Sequence, residues 1–137
     1  MSIADDFLAR LSGVRRTGSG RWVAKCPAHE DRRASMTIRE LEDGRLLVHD
    51  FAGCSVEEIV GAVGMKLADL FPPRAGEAKA ERAPFPAADI LRAVAFETLV
   101  VSCAAATLSA GEALSQVDRD RLALAAKRLR EAAEWVR

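Results

Sequence analysis

Two residues with metal-binding side chains stand three positions apart in the N-terminal half of the chain. Cys26 and His29 enclose Pro27 and Ala28, and Pro27 stiffens the short turn between them. A thiolate and an imidazole at this spacing can reach one zinc ion, at about 2.3 and about 2.0 Å respectively. A tetrahedral structural site needs two more ligands, usually from a second turn of the chain. The spacing therefore predicts half of a zinc site at residues 26–29.

The other half of the site is predicted further along the chain, at residues 49–54. Cys54 is the obvious third ligand, and the fourth is Asp50 or, in a shifted register, His49. Successive side chains of a strand point to opposite faces, so these two residues are not expected to bind the same ion. Four protein ligands leave no position open for an activated water, so the ion would be structural. The alternative is a degenerate site without metal, in which Cys26 and Cys54 pair when oxidised.

Short strands and helices are predicted to position these residues. Ser2 can cap a helix over residues 2–12, and Ser55 with Glu58 forms a capping box for a helix that continues to Gly64. An Asp-Gly turn before Arg45 predicts a hairpin. The expected strands are residues 21–25, 35–39 and 45–49, and a final turn is expected at 67–71.

The C-terminal part of the chain has a different pattern. Residues 73–86 are rich in proline, alanine and charged side chains and are expected to be a linker. Two helices are predicted beyond it, over 87–110 and 117–136, as a helical hairpin. The first is apolar nearly all round, so it needs cover from the N-terminal module, a second copy or another protein. Within it, Cys103 is expected to be a core thiol, and Glu97 to face a partner or solvent.

The N-terminal motifs also follow a known order. Cys-Pro-Ala-His at 26–29, Asp-Arg-Arg-Ala-Ser at 31–35, and Asp-Phe-Ala-Gly-Cys at 50–54 before a helix resemble the zinc-binding domain of bacterial, plasmid and phage DNA primases. The resemblance covers residues 22–71, with a weaker extension to residue 2. Ala34 departs from it, because the family often has proline at that position.

The resemblance implies a ligand set and a function. It places Cys26, His29 and Cys54 on metal ligands, and it places Asp50 where the family usually has a cysteine. Carboxylate oxygen is an acceptable but harder zinc ligand. In the family this module reads single-stranded template DNA, while polymerisation belongs to a separate catalytic domain. The chain is therefore expected to be no enzyme alone, although an accessory subunit of a primase with a separate catalytic chain remains an alternative.

Charge is unevenly distributed, although the whole chain has twenty basic and twenty acidic residues. Residues 10–39 hold eight basic side chains against two acidic ones, and residues 40–71 hold two basic against seven acidic. Cationic side chains hold phosphates, and aromatic rings stack on the bases of single strands. Trp22 is expected either to stack on a base or, alternatively, to pack in the core. The predicted nucleic-acid-binding residues are Arg15, Arg16, Arg21, Trp22, Lys25, Arg32, Arg33 and Phe51.

Together these patterns predict an α+β protein. A zinc-ribbon-like module with a small β-sheet and short flanking helices is expected at 1–72, a linker at 73–86, and a helical hairpin at 87–137. The odd number of cysteines and the acidic N-terminal residues favour a cytoplasmic protein without a membrane segment. The expected partners are single-stranded DNA and a replication polymerase or helicase bound through residues 87–137, or a second copy. The rival function is a regulatory adaptor with a degenerate zinc site.

Overall fold

Four short strands form the centre of the protein. In a computed structural model, which describes residues 2–72 and 84–136, they make one antiparallel sheet in sequence order. The turns at Gly20 and Gly44 have positive φ angles of 64° and 85°, which glycine adopts without steric cost. The strands are β1 (Arg15–Gly18), β2 (Arg21–Ala24), β3 (Met36–Glu40) and β4 (Leu46–Asp50).

One face of the sheet is covered by elements of the N-terminal half. These are α1 (Ile3–Ala9), α2 (Val56–Ala62) and a 3-10 helix at Leu67–Leu70. Ser2 and Ser55 cap α1 and α2, as predicted, and both form capping boxes, although the sequence had predicted a box only at Ser55. Because side chains alternate along a strand, every second residue of β3 and β4 points into this core. Its fully buried large members include Phe7, Met36, Ile38, Leu46 and Ile59.

The opposite face is covered by α3 (Ala87–Ala93) and by the end of α5 (Gln116–Glu134), while α4 (Ala95–Ser109) packs against α5. Phe51, Phe85 and Ile90 are buried there in a second core, with Trp135 packed against it. Thr17 of β1 donates a 2.8 Å hydrogen bond to the buried carboxylate of Asp89 in α3. The sheet therefore covers α3 and the end of α5, whereas several apolar side chains of α4 stay exposed.

A bend of 60° at Val94 separates α3 from α4. The prediction of one helix over 87–110 was wrong here. Ile90, Ala93 and Val94 are all buried, so α3 follows the sheet and the chain turns at Val94 before α4 leaves it. Among the described residues, no single helix is long and apolar enough to cross a membrane; α3 and α4 meet those criteria only when the bent pair is taken together.

The α+β class predicted from the sequence is confirmed, and the three predicted strands lie within one or two residues of β2, β3 and β4. Strand β1 was not predicted. Of the predicted linker, residues 73–83 lie outside the described residues. Its last residues are held on the sheet, because Arg39 donates a 2.9 Å hydrogen bond to the Pro84 carbonyl and Phe85 is buried.

Candidate metal centre and adjoining groove

The sheet brings the two halves of the predicted metal site to one edge. Met36, the first residue of β3, pairs with Ala24 at the end of β2 and with Asp50 at the end of β4. Cys26 follows two residues after β2, and Cys54 lies in the loop between β4 and α2. The candidate ligands are distant in sequence, and they meet because the ends of β2 and β4 lie on either side of Met36.

Four side chains converge at this edge. The ligand atoms of Cys26, His29, Asp50 and Cys54 all lie within 4.8 Å of one another. His29 Nδ1 is 3.1 Å from Cys54 Sγ and 3.7 Å from Asp50 Oδ2. In a tetrahedral site with bonds of 2.0 to 2.3 Å, neighbouring ligand atoms are about 3.3 to 3.8 Å apart. The cluster could hold a metal ion after small side-chain movements.

Asp31 supports two of these candidate ligands, a role that the sequence patterns did not reveal. Its Oδ2 accepts a 3.0 Å hydrogen bond from the backbone N–H of Cys26, and its Oδ1 faces His29 Nε2 at 3.7 Å. A carboxylate behind the distal nitrogen of a metal-binding histidine fixes the orientation of the ring. The Ser35 hydroxyl lies 2.8 Å from Asp31 Oδ2 and 2.7 Å from Asp50 Oδ1. Asp31 and Ser35 therefore connect the two halves of the centre.

Asp50 both faces the cluster and organises its own loop. Its side chain is almost completely buried. Oδ1 accepts a 3.1 Å hydrogen bond from the N–H of Ala52, and Oδ2 accepts a 3.2 Å bond from the N–H of Cys54. A buried carboxylate needs such partners or a cation to offset its desolvation. Asp50 is therefore placed as the fourth candidate ligand.

The surroundings of the thiols disfavour charge in the absence of a cation. Burial raises the pKa of Cys26 well above its usual value, and the nearby Asp50 carboxylate adds to this effect. Burial also raises the pKa of Cys54, where Asp50 contributes through a side-chain hydrogen bond. A divalent cation bound among these groups would reverse both effects, because thiolates are stabilised by coordination.

The alternative ligand His49 is directed away from the cluster. Its ring centroid lies 4.0 Å from that of Trp135 and 4.5 Å from that of Phe51. Burial in this aromatic group lowers the pKa of His49, although Asp50 raises it in part. Strand alternation is the cause: in β4, His49 faces the second core and Asp50 faces the metal cluster. The structure therefore favours Asp50 over His49.

A groove with a volume of about 680 Å³ lies between the sheet edge and helices α3 and α4. Six cationic side chains line it, and none of its lining residues among the described residues is acidic. Phe96 and Leu99 of α4 form its apolar wall. Such a combination of cationic and aromatic surface is typical of sites for single-stranded nucleic acid. The cationic residues are Arg15, Arg16, Lys25, Arg32, Arg33 and Arg92.

Three predicted nucleic-acid residues do not line this groove. Phe51 is only 4% exposed in the second core, so its prediction as a base-stacking residue was wrong. Trp22 packs, partly buried, against the first core, which was its alternative. Arg21 lines a different surface, beside Phe85 and Trp135. Strand alternation separates Trp22 from the groove, because its neighbours Val23 and Lys25 are on or near the groove side.

Glu97 is neither exposed nor free for a partner, contrary to its prediction. It is 7% exposed and accepts hydrogen bonds from Arg121, at 2.7 and 3.0 Å, and from Arg128, at 2.9 Å. Burial raises the pKa of Glu97, but the bonds from the two arginines outweigh it and the net shift is downward. Cys103 was expected in the core and is exposed instead, because α4 turns only part of its surface toward α5.

Comparisons with known proteins found no relative of this chain. No family model matches the chain, and no curated protein and no solved structure is significantly similar to it. Function is therefore inferred from the residues of the metal centre and the groove.

Proposed function

We propose that this protein is a zinc-binding module of the DNA-primase type that contacts single-stranded template DNA in replication and is not catalytic by itself. The observation that carries the proposal is one juxtaposition. The first turn of a four-residue cluster that could hold a metal ion continues into a loop that lines a groove whose charged lining residues are all cationic. Arg32 and Arg33 come three and four positions after His29, so one loop carries both a candidate ligand and two residues of the groove.

Zinc is the ion that this donor set fits best. Two sulfurs, one imidazole nitrogen and one carboxylate oxygen form a soft to borderline set, whereas magnesium and calcium prefer oxygen ligands. The first candidate ligands stand on a tight turn, and Asp31 and Ser35 support them from outside. All four positions are filled by protein, which favours a structural ion over a catalytic one.

The groove suits a single strand better than a duplex. Its cationic residues can bind phosphates, and Phe96 offers an aromatic face that is reachable only by an unpaired base. Phe96 is 42% exposed, and the guanidinium carbons of Arg33 and Arg121 lie 5.2 and 5.6 Å from the centre of its ring, so a stacking base would have to displace one of these two side chains. In this proposal Phe96 has the base-stacking role that the sequence analysis had assigned to Phe51.

Fluorescence anisotropy with a labelled oligodeoxythymidine, compared with a duplex of the same length, tests this proposal. We expect tighter binding of the single strand, and a logarithmic salt dependence with a slope of about −0.7 for each phosphate neutralised. Replacing Arg32 and Arg33 together by alanine should weaken binding and flatten the slope. Arg119→Ala is the control, because Arg119 is an exposed cation of α5 that does not line the groove. Equal binding by all variants, or none by wild type, would contradict the proposal.

A second candidate function is an adaptor that docks a replication polymerase or helicase through α4. It is favoured by the exposed apolar side chains of this helix: Leu99 is 49% exposed and Leu108 is 52% exposed. Leu108 does not line the groove. The adaptor function would be supported if the protein has no affinity for DNA but binds such a partner, and if Leu108→Glu abolishes binding of that partner. Primer synthesis only after addition of a catalytic chain would instead indicate an accessory subunit.

A further inference from the structure

Arg128 of α5 makes a hydrogen bond to the loop that carries two candidate ligands of the metal centre. Its Nη2 donates a 3.2 Å hydrogen bond to the backbone carbonyl of Ala52. Ala52 stands between the candidate ligands Asp50 and Cys54, and its own N–H is bound by the Asp50 carboxylate. Side chains therefore hold both polar groups of Ala52, one from the metal centre and one from α5.

We infer that Arg128 is a positioning residue for the metal centre, which couples metal binding to docking of the α4–α5 hairpin. The inference rests on the metal-binding part of the proposed function. A loop that carries two ligands must keep one conformation for both to face the ion, and groups that hold such ligands from outside commonly change metal affinity by about 10- to 100-fold.

Glu97 fixes Arg128 in the orientation that this contact needs. Its Oε1 accepts a 2.9 Å bond from Arg128 Nη1, which leaves Nη2 directed at the Ala52 carbonyl. The planar guanidinium makes both bonds at once, which a single ammonium cannot do with the same geometry. The carboxylate in turn is anchored by two part-buried hydrogen bonds from Arg121. Two consecutive hydrogen bonds, from Arg128 to Glu97 and from Arg128 to the Ala52 carbonyl, thus connect the hairpin to the ligand loop.

The competing explanation is that Arg128 only joins α4 to α5. Arg121 provides a matched control for this alternative. It also lies on α5 and also pairs with Glu97, through two hydrogen bonds, but it makes no bond to the ligand loop. A purely helix-joining role predicts that loss of either arginine has similar effects on metal affinity, whereas positioning predicts an effect of Arg128 alone.

Zinc affinity, measured on the full chain by competition with a chromogenic chelator, separates the two explanations. We expect Arg128→Met to weaken zinc binding about 10-fold and Arg121→Met to change it less than about 3-fold. Arg128→Lys, which keeps the charge, should fall between them. Cobalt(II) is the second probe, because its visible absorption reports ligand geometry: the spectrum should change in Arg128→Met and not in Arg121→Met. Equal effects of the two methionine variants would overturn the inference.

A measurement on the wild-type chain keeps the inference testable if Arg128→Met does not fold. Coupling free energies are reciprocal, so zinc must stabilise the docked hairpin as much as docking strengthens zinc binding. We expect added zinc to slow amide hydrogen exchange in α5 around Arg128. Unchanged exchange in a zinc-loaded chain would overturn this inference and leave the metal site intact. A wild-type chain that binds no zinc would overturn the metal site as well.

Discussion

The Nδ1 atom of His29 lies 3.1 Å from the Sγ atom of Cys54, although 25 positions separate the two residues. One residue comes from the turn after β2 and the other from the loop after β4. The distance is slightly below the edge of a zinc tetrahedron, so an ion would need to separate the two atoms only a little. Several consequences for metal content, stability and binding can be measured.

The metal content should depend on Cys26 and not on Cys103. Cys26→Ser replaces a buried candidate thiolate by a much poorer zinc ligand, so we expect bound zinc to fall from one ion per chain to nearly none. Cys103→Ser is the matched control, because this thiol is exposed on α4 and lies outside the cluster. Elemental analysis of the purified variants gives the answer, and full zinc content in Cys26→Ser would refute the ligand assignment.

Removal of the metal should lower the stability of the N-terminal half of the protein. The ion would join the ends of β2 and β4 to the start of α2, and a ligand that binds only the folded state stabilises it. At free zinc 1,000 times the dissociation constant, the expected stabilisation is about 4 kcal/mol. Thermal unfolding with zinc and with a chelator measures it. An unchanged midpoint would argue for the degenerate site.

Acid sensitivity should depend on Glu97. Its pKa is lowered in the folded protein, because the bonds from Arg121 and Arg128 outweigh the opposing effect of burial. The ion pair therefore stabilises the fold fully above the ordinary glutamate pKa of 4.5, and this contribution is lost as pH falls through the lower folded value. Glu97→Gln should cost about 3 kcal/mol at neutral pH, because it leaves two arginines without their carboxylate.

Denaturant unfolding at a series of pH values tests this expectation. The stability of wild type should fall more steeply than that of Glu97→Gln below about pH 5, so that the two curves converge in acid. Glu112→Gln is a suitable control, since Glu112 is exposed beyond the end of α4. Parallel curves for wild type and Glu97→Gln would mean that the pair does not contribute to acid sensitivity.

Base stacking should depend on Phe96. Phe96→Ala removes the aromatic wall of the groove, and we expect single-stranded DNA binding to weaken by about 1 to 3 kcal/mol, with the salt slope almost unchanged. Leu108→Ala is the control on the same helix, because Leu108 is exposed but distant from the groove. Equal loss in both variants, seen by anisotropy, would show that Phe96 acts only through the stability of α4.

Docking of the hairpin on the sheet should depend on Phe85. This ring is 5% exposed and lies 5.8 Å from the ring of Trp135, measured between centroids. Phe85→Ala should lower the free energy of unfolding by about 3 kcal/mol, because it leaves a cavity between sheet and helices. Phe71→Ala should have little effect, since Phe71 is 41% exposed. Denaturant titration compares the two, and a change of equal size in both would place Phe85 outside the core.

Local patterns were enough to predict the parts of the fold that depend on neighbouring residues. Ser2 and Ser55 have the carboxylates that complete their capping boxes three positions later, and the Asp-Gly turn sets the register of β3 and β4. Strand β1 was missed because Arg15 and Arg16 lack the apolar alternation of a half-buried strand. The bend at Val94 was missed because neither glycine nor proline marks it.

The candidate metal cluster was predictable because its spacing is a property of the sequence, and alternation along β4 then separates Asp50 from His49. The surroundings of Phe51, Phe96 and Glu97 were not predictable from spacing. Each of these depends on how α3, α4 and α5 pack on one another and on the sheet, which is a long-range relationship. In the sequence, the single charge of an apolar helix can pair with another protein or with a residue of the same chain. Only the packing shows that Glu97 pairs with Arg121 and Arg128 of α5.

The separation of 76 positions between Arg128 and Ala52 has a consequence during synthesis of the protein. Ribosomes add about 5 to 20 residues per second, so Arg128 is made about 4 to 15 s after the loop that it contacts. All four cluster residues exist for nearly all of that interval, because Cys54 follows Ala52 by only two positions. If the cluster binds a metal ion as proposed, a nascent chain offers a complete set of donors on an unsupported loop before α5 is made, and the helical hairpin would close over an ion that is already in place.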